Sequence, residues 1–176
     1  VVMNALEKIE KASQQSGTVT GLATGFTDLD YRTAGLQPSD LILVAARPSM
    51  GKTAFVLNIA QHMAFHQGKA VAIFSLEMSK EQLGQRLLAM QARVEMQKLK
   101  QGDLDRKDWD RITMALDELN NTKIVIDDTP GISIMEMRNK CRRLKAEQGL
   151  DLVVIDYLQL MSLQGKTDNR QQEIST

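Results

Sequence analysis

The chain has 176 residues, 43% hydrophobic and 25% charged, with 22 basic and 22 acidic side chains and a formal net charge of +0. That composition is enough for one buried core, and it excludes a global positive field for holding nucleic acid, so any DNA contact must come from local groups. Cys141 is the only cysteine, which excludes an internal disulfide, and no signal-peptide core or membrane-spanning run is present, so the sequence predicts a cytoplasmic protein with no membrane association. Ten methionines against one Trp, two Tyr and four Phe predict a core of flexible aliphatics rather than an aromatic platform for single strands.

In chain order, Val2, Leu6 and Ile9 fall at helical spacing, which predicts a short amphipathic helix over Val1 to Ser16, followed by a polar linker. From Leu41 the pattern alternates strand and helix. The apolar run Leu41 to Ala46 predicts a strand, and a helix from Thr53 to Gln67 closes at Gly68. A second strand is predicted at Ala70 to Leu76. Ser79 and Gln82 have capping-box spacing and open a helix with Leu83, Leu87 and Met90 on one face. A helix over Lys107 to Leu119 is predicted to turn Trp109, Ile112 and Leu116 inward. Ile124 to Ile126 follows as a strand, then a second capping box at Ser133 and Glu136 starts a helix that stops at Gly149, and Leu152 to Ile155 forms the last strand. Continuous apolar strands alternating with helices predict an α/β fold with a mostly parallel sheet covered on both faces.

The chemistry concentrates in Ala46-Arg47-Pro48-Ser49-Met50-Gly51-Lys52-Thr53, which fits the phosphate-loop pattern except that Ala46 stands at the first glycine position. The tripeptide Gly-Lys-Ser/Thr alone arises by chance in about one chain in ten of this length. Here it follows an apolar run and opens an amphipathic helix, where backbone N–H groups and the helix N-terminus can surround a β-phosphate. Lys52 can reach the β- and γ-phosphate oxygens, and the Thr53 hydroxyl can hold Mg²⁺. Arg47, Pro48, Ser49, Met50, Gly51, Lys52, Thr53 and Ala54 therefore form the candidate nucleotide-binding set. Asp156 ends the strand Leu152-Val153-Val154-Ile155 and is placed to act on Mg²⁺ through its water shell. Glu77, at the C-terminal end of the second strand, is the candidate base for the attacking water.

Other patterns weigh less. His62 and His66 are one helical turn apart, but Met63 stands where a zinc protease has its glutamate. Arg138, Lys140, Arg142, Arg143 and Lys145 make a basic helix that reads first as a solvated face and second as a phosphate contact. Cys141 falls on the buried side of that helix.

Thr24-Gly25-Phe26-Thr27-Asp28-Leu29-Asp30 and Gly35-Leu36, ahead of the phosphate loop, resemble the entry segment of RecA-like ATPases. Five further stretches closely resemble DnaB-type replicative helicases: Ala45 to Phe55, Phe74-Ser75-Leu76-Glu77-Met78, Asp127-Asp128-Thr129-Pro130-Gly131-Ile132, Cys141-Arg142-Arg143-Leu144-Lys145 and Ile155-Asp156-Tyr157-Leu158-Gln159-Leu160. The resemblance runs along essentially the whole chain. It implies a RecA-like P-loop NTPase core over 21–176, incomplete at its C-terminal end, preceded over 1–20 by a linker helix that docks on a neighbouring subunit.

The same resemblance implies an ATP- and Mg²⁺-dependent homohexameric ring that moves along single-stranded DNA and unwinds duplex, with primase and a helicase loader as partners. Lys52 and Thr53 match the phosphate and metal residues, Glu77 the catalytic glutamate and Asp156 the Walker B aspartate. The chain ends at 169–176 before the γ-phosphate sensor, the DNA loops and the arginine finger, so this stretch alone is expected to be unstable or incomplete, and nearly inactive. The rival readings are a RecA-like recombinase or clock-type ATPase, and a non-catalytic assembly module.

Overall fold

The structure, a computed structural model, describes residues 2–14, 17 and 19–157. Leu158, Gln159 and Leu160, the 169–176 tail, Val1 and Ser16 lie outside the described residues. The chain divides into two compact units, Val1–Met63 and Ala64–Thr176.

The first unit begins with helix α1 (Val2–Gln14), whose described side chains, including the apolar Met3, Leu6 and Ile9, are all exposed. An antiparallel bridge between Leu22 and Leu36 then brackets α2 (Thr27–Thr33). The entry segment is organised by a buried carboxylate. Asp30 Oδ1 accepts from the Thr24 N–H at 2.8 Å and the Thr24 hydroxyl at 2.7 Å, and Oδ2 accepts from the Gly25 N–H at 3.1 Å. A buried charge is tolerable only with such partners. Phe26 stacks on Phe55 with ring centroids 5.0 Å apart, joining this segment to α3 (Lys52–Gln61), which continues as a π-helical turn over His62–His66.

The strand expected at Leu41 to Ala46 is absent: these residues adopt no regular structure, and Leu41, Ile42, Leu43 and Val44 are all exposed. An apolar run supplies side chains for a strand but not the neighbour that satisfies its N–H and C=O groups. Among the described residues no strand pairs with it.

The second unit is built on a three-stranded parallel sheet in the order β2-β1-β3, with β1 (Ala70–Ser75) between β2 (Lys123–Asp127) and β3 (Leu152–Asp156). Every residue of β1 is buried, as a central strand covered on both faces requires. Its register sets Phe74 opposite Asp127 on one side and Ser75 opposite Asp156 on the other. Asp151 fixes the start: its side chain accepts from the Ala70 N–H at 2.9 Å and its own N–H donates to the Ala70 carbonyl at 2.8 Å.

Helix α7 (Ile134–Glu147) packs Met137 with Ala72, Phe74 and Ile132, and partly buried Cys141 and Leu144 border that cluster. A second cluster of Ala92, Val94, Ile112 and Ala115 joins α4 (Lys80–Ala92), α5 (Met96–Gln101) and α6 (Arg106–Asn120). Both expected capping boxes form, at Ser79 with Gln82 and at Ser133 with Glu136, and a third joins Asp105 and Asp108 at the start of α6.

Helix α6 is rotated from its expected setting. Ile112 is buried as expected, but Trp109 is 55% and Leu116 47% exposed, while Asp108 and Ala115 face inward. Asp108 fixes this, because its carboxylate accepts from the Asp105 N–H at 3.3 Å and from Arg111 at 2.7 Å and faces Lys98 at 3.7 Å. Burial alone would raise its pKa; the Asp105 N–H, Arg111 and Lys98 outweigh that and hold it below the usual carboxylate value. Among the described residues no helix is long and apolar enough to cross a membrane.

Candidate nucleotide-binding site

The phosphate loop lies in the first unit as an exposed turn over Arg47 to Gly51 that feeds directly into α3. Ser49 and Gly51 take positive φ values of 64° and 85°, and the Met50 N–H donates to the Arg47 carbonyl at 3.3 Å. Alternating backbone handedness of this kind turns successive N–H groups toward a common point, which suits an anion. Gly51 is the N-cap of α3 and contributes no side-chain cap. A β-carbon at Gly51 would meet nothing within 4 Å. A phosphate group fits this site, where the helix dipole also favours negative charge. Lys52 and Thr53, the first residues of α3, are half-buried, and Ala54 next to them is exposed.

Glu77 and Asp156 lie in the second unit, and the sheet brings them together at the C-terminal edge of the strands. Asp156 is buried at the end of β3, opposite Ser75, and its carbonyl accepts from the Leu76 N–H at 2.7 Å. Glu77 follows at once and is exposed on the turn between β1 and α4. Buried Ser75 closes that turn: its hydroxyl accepts from the Met78 N–H at 3.2 Å and donates to the Met78 carbonyl at 2.7 Å. A buried acid at the end of β3 and an exposed acid on the turn after β1, at the edge where parallel sheets bind ligands, suit metal holding and water activation.

The basic helix is not a uniform solvated face. Lys140 donates to Asp127 Oδ2 at 2.5 Å and to the Thr129 hydroxyl at 3.0 Å, whereas Arg138, Arg142, Arg143 and Lys145 are exposed. Burial would raise the Asp127 pKa, but hydrogen bonds from Lys140 and Thr129 and the Lys140 charge bring it below the usual carboxylate value. Cys141 is partly buried beside the Phe74 cluster, and that burial pushes its thiol pKa up, as expected of a packing residue. The ring of His62 lies where a β-carbon on Gly25 would sit.

Sequence reasoning missed the supporting residues. Asp128 accepts from the Lys80 N–H at 2.9 Å across 48 positions, and Ser75 bridges the Glu77 turn. Asp128 enters only through the family resemblance, whereas Ser75 lies in the strand predicted at Ala70 to Leu76, where a polar residue ending an otherwise apolar strand is the signal that points to it.

A phosphate loop opening a helix and a parallel sheet with paired acids at its C-terminal edge define a P-loop nucleotide-binding protein of the α/β class. Residues 21–176 match the family of DnaB-like helicase C-terminal domains, and the chain belongs to that family. It is 53% identical over 176 residues to the replicative DNA helicase DnaC of Bacillus subtilis (strain 168) and 51% identical to the replicative DNA helicase DnaB of Geobacillus stearothermophilus. Each alignment covers 99% of this chain but only 39% of the relative's length. Among solved structures, one described as an ATPase domain aligns with TM-score 0.90 at 37% identity, covering 99% of this chain and 63% of that one. A DnaB-like replicative helicase studied for its interactions with primase aligns with TM-score 0.86 at 38% identity, covering 99% and 42%. The fold is therefore that of RecA-like ATPase domains of DnaB helicases, with nucleotide binding as the property that the ATPase relatives share.

Proposed function

We propose that this chain is the motor segment of a replicative DNA helicase, which hydrolyses ATP with Mg²⁺ and moves along single-stranded DNA as a homohexamer. The observation that carries the reading is the phosphate loop, with Ser49 and Gly51 at positive φ directly before α3, within a chain of this family. Lys52 would hold the β- and γ-phosphate oxygens, with the loop from Arg47 to Ala54 around them. Thr53 and Asp156 would hold Mg²⁺, which supplies charge neutralisation on the phosphates when bound. Glu77 orients the attacking water and accepts its proton.

Residues 1–20 serve as a linker and 21–176 as the ATPase domain in this reading. The exposed Met3, Leu6 and Ile9 of α1 support docking on the neighbouring subunit of the ring. Primase is a proposed partner because one similar structure is described with it, and a helicase loader and a cytoplasmic location follow from the same role.

ATP hydrolysis by the intact protein, with and without single-stranded DNA and beside Lys52→Ala, tests the reading. Stimulation by DNA that is lost in the variant is expected; nucleotide-independent docking with no turnover would favour an assembly module instead.

A further inference from the structure

The turn that carries Glu77 is separated from the residues after β2 by 48 positions of chain, yet it is anchored there. Asp128 Oδ2 accepts from the N–H of Lys80, the first residue of α4, at 2.9 Å. Other bonds hold the same turn: Leu76 to the Asp156 carbonyl, Met78 to and from the Ser75 hydroxyl, and the reciprocal capping box of Ser79 with Gln82. Those bonds fix the turn to its own strand and helix and to β3. Asp128 is what joins it to the segment that follows β2.

That segment is itself stapled. Asp127 Oδ1 accepts from the Thr129 N–H at 3.0 Å, while Lys140 bridges Asp127 and the Thr129 hydroxyl. The Asp128 carboxylate is thus presented from a braced loop to the positive end of the 13-residue helix α4. Its charge and its hydrogen bond act on the same N–H, three residues beyond Glu77.

We propose that Asp128 is a positioning residue for Glu77, setting where the Glu77 carboxylate stands relative to Asp156. This rests on Glu77 being the base of the reaction proposed above. A base must stand within hydrogen-bond reach of the proton it takes, and small displacements of such a group are costly to turnover. Acting through Glu77, Asp128 bears on turnover rather than on affinity.

The experiment compares Asp128→Ala, Asp128→Asn, Glu77→Gln and the Glu77→Gln/Asp128→Ala double variant in the intact protein. It reads ATP kcat and KM together with amide hydrogen exchange. Asp128→Ala is expected to lower kcat about tenfold with KM held within about twofold, and to speed exchange at residues 78–82 alone. Asp128→Asn, which keeps a carbonyl acceptor, is expected to restore most of the rate. On the Glu77→Gln background Asp128→Ala adds no further loss, because its effect passes through Glu77.

Unchanged kcat despite faster exchange would overturn the inference, as would losses that add in the double variant or a general rise in exchange. Glu77→Gln that hydrolyses ATP at the normal rate would instead remove the base itself, and the positioning role with it. An inactive Glu77→Gln beside a fully active Asp128→Ala refutes the positioning role alone.

Discussion

The Leu76 N–H donates to the Asp156 carbonyl at 2.7 Å, so the two candidate acids of the site are joined through the main chain, one residue from Glu77 on one side and at Asp156 itself on the other. This bond continues the ladder that pairs Ser75 with Asp156 and extends it past the end of β1. The backbone therefore sets the edge on which both carboxylates stand.

Asp156→Asn is accordingly expected to leave the sheet intact and nucleotide binding without metal unchanged. Mg²⁺-dependent hydrolysis should fall about a hundredfold or more, the scale for losing one electrostatic group at a reacting phosphate. Nucleotide affinity measured with and without Mg²⁺, beside single-turnover hydrolysis, checks this. An equal loss of metal-free affinity would place Asp156 on the nucleotide instead.

Helix starts and strand ends were legible because each carries a local chemical signature. Ser79 with Gln82 and Ser133 with Glu136 close the boxes their spacing implies, and Asp156 ends the strand it was expected to end. Burial was less legible where it depends on partners distant in sequence. Leu41 to Val44 have the side chains of a strand and no described neighbour, and Trp109 attracts an inward assignment by sharing a helical face with Ile112 and Leu116. The pairing of Asp128 with Lys80 spans 48 positions and leaves no periodic trace, so no spacing rule reveals it.

The setting of α6 predicts opposite responses from neighbouring residues. Ile112 packs with Ala92, Val94 and Ala115, so Ile112→Ala should cost about 2–4 kcal/mol. Trp109 is more than half exposed, and Trp109→Gln should stay within about 0.5 kcal/mol. Urea unfolding of the intact protein separates them, and a large cost at Trp109 would contradict the orientation.

Gly25 sits between Thr24 and the Phe26 that stacks on Phe55, with φ of 89°. A β-carbon there would approach His62 Cγ to 2.6 Å, closer than any real contact allows. Gly25→Ala should therefore cost about 2 kcal/mol or more, from backbone strain and the clash together. Gly102 also has positive φ, but a β-carbon there meets nothing within 4 Å, so Gly102→Ala should cost about 1 kcal/mol from strain alone. Equal costs in urea unfolding would show that the His62 contact gives way.

The Asp127–Lys140 pair makes a pH-dependent contribution whose direction is fixed. The folded carboxyl has its pKa depressed below the unfolded value of about 3.9, so the unfolded state binds the proton more tightly. The stabilisation is fully present above the unfolded pKa and is lost as pH falls through the folded one. Asp127→Asn removes the charge while keeping a carbonyl acceptor for Lys140 and Thr129. It should cost about 1–2 kcal/mol at neutral pH, the scale of a charge-assisted hydrogen bond that is partly buried. The deficit should shrink on acidification, with variant and parent converging below the folded pKa. Urea unfolding followed from pH 7 to pH 3 measures that convergence; a deficit that stays constant over the range would mean the carboxyl titrates alike in both states and that Lys140 holds it only weakly.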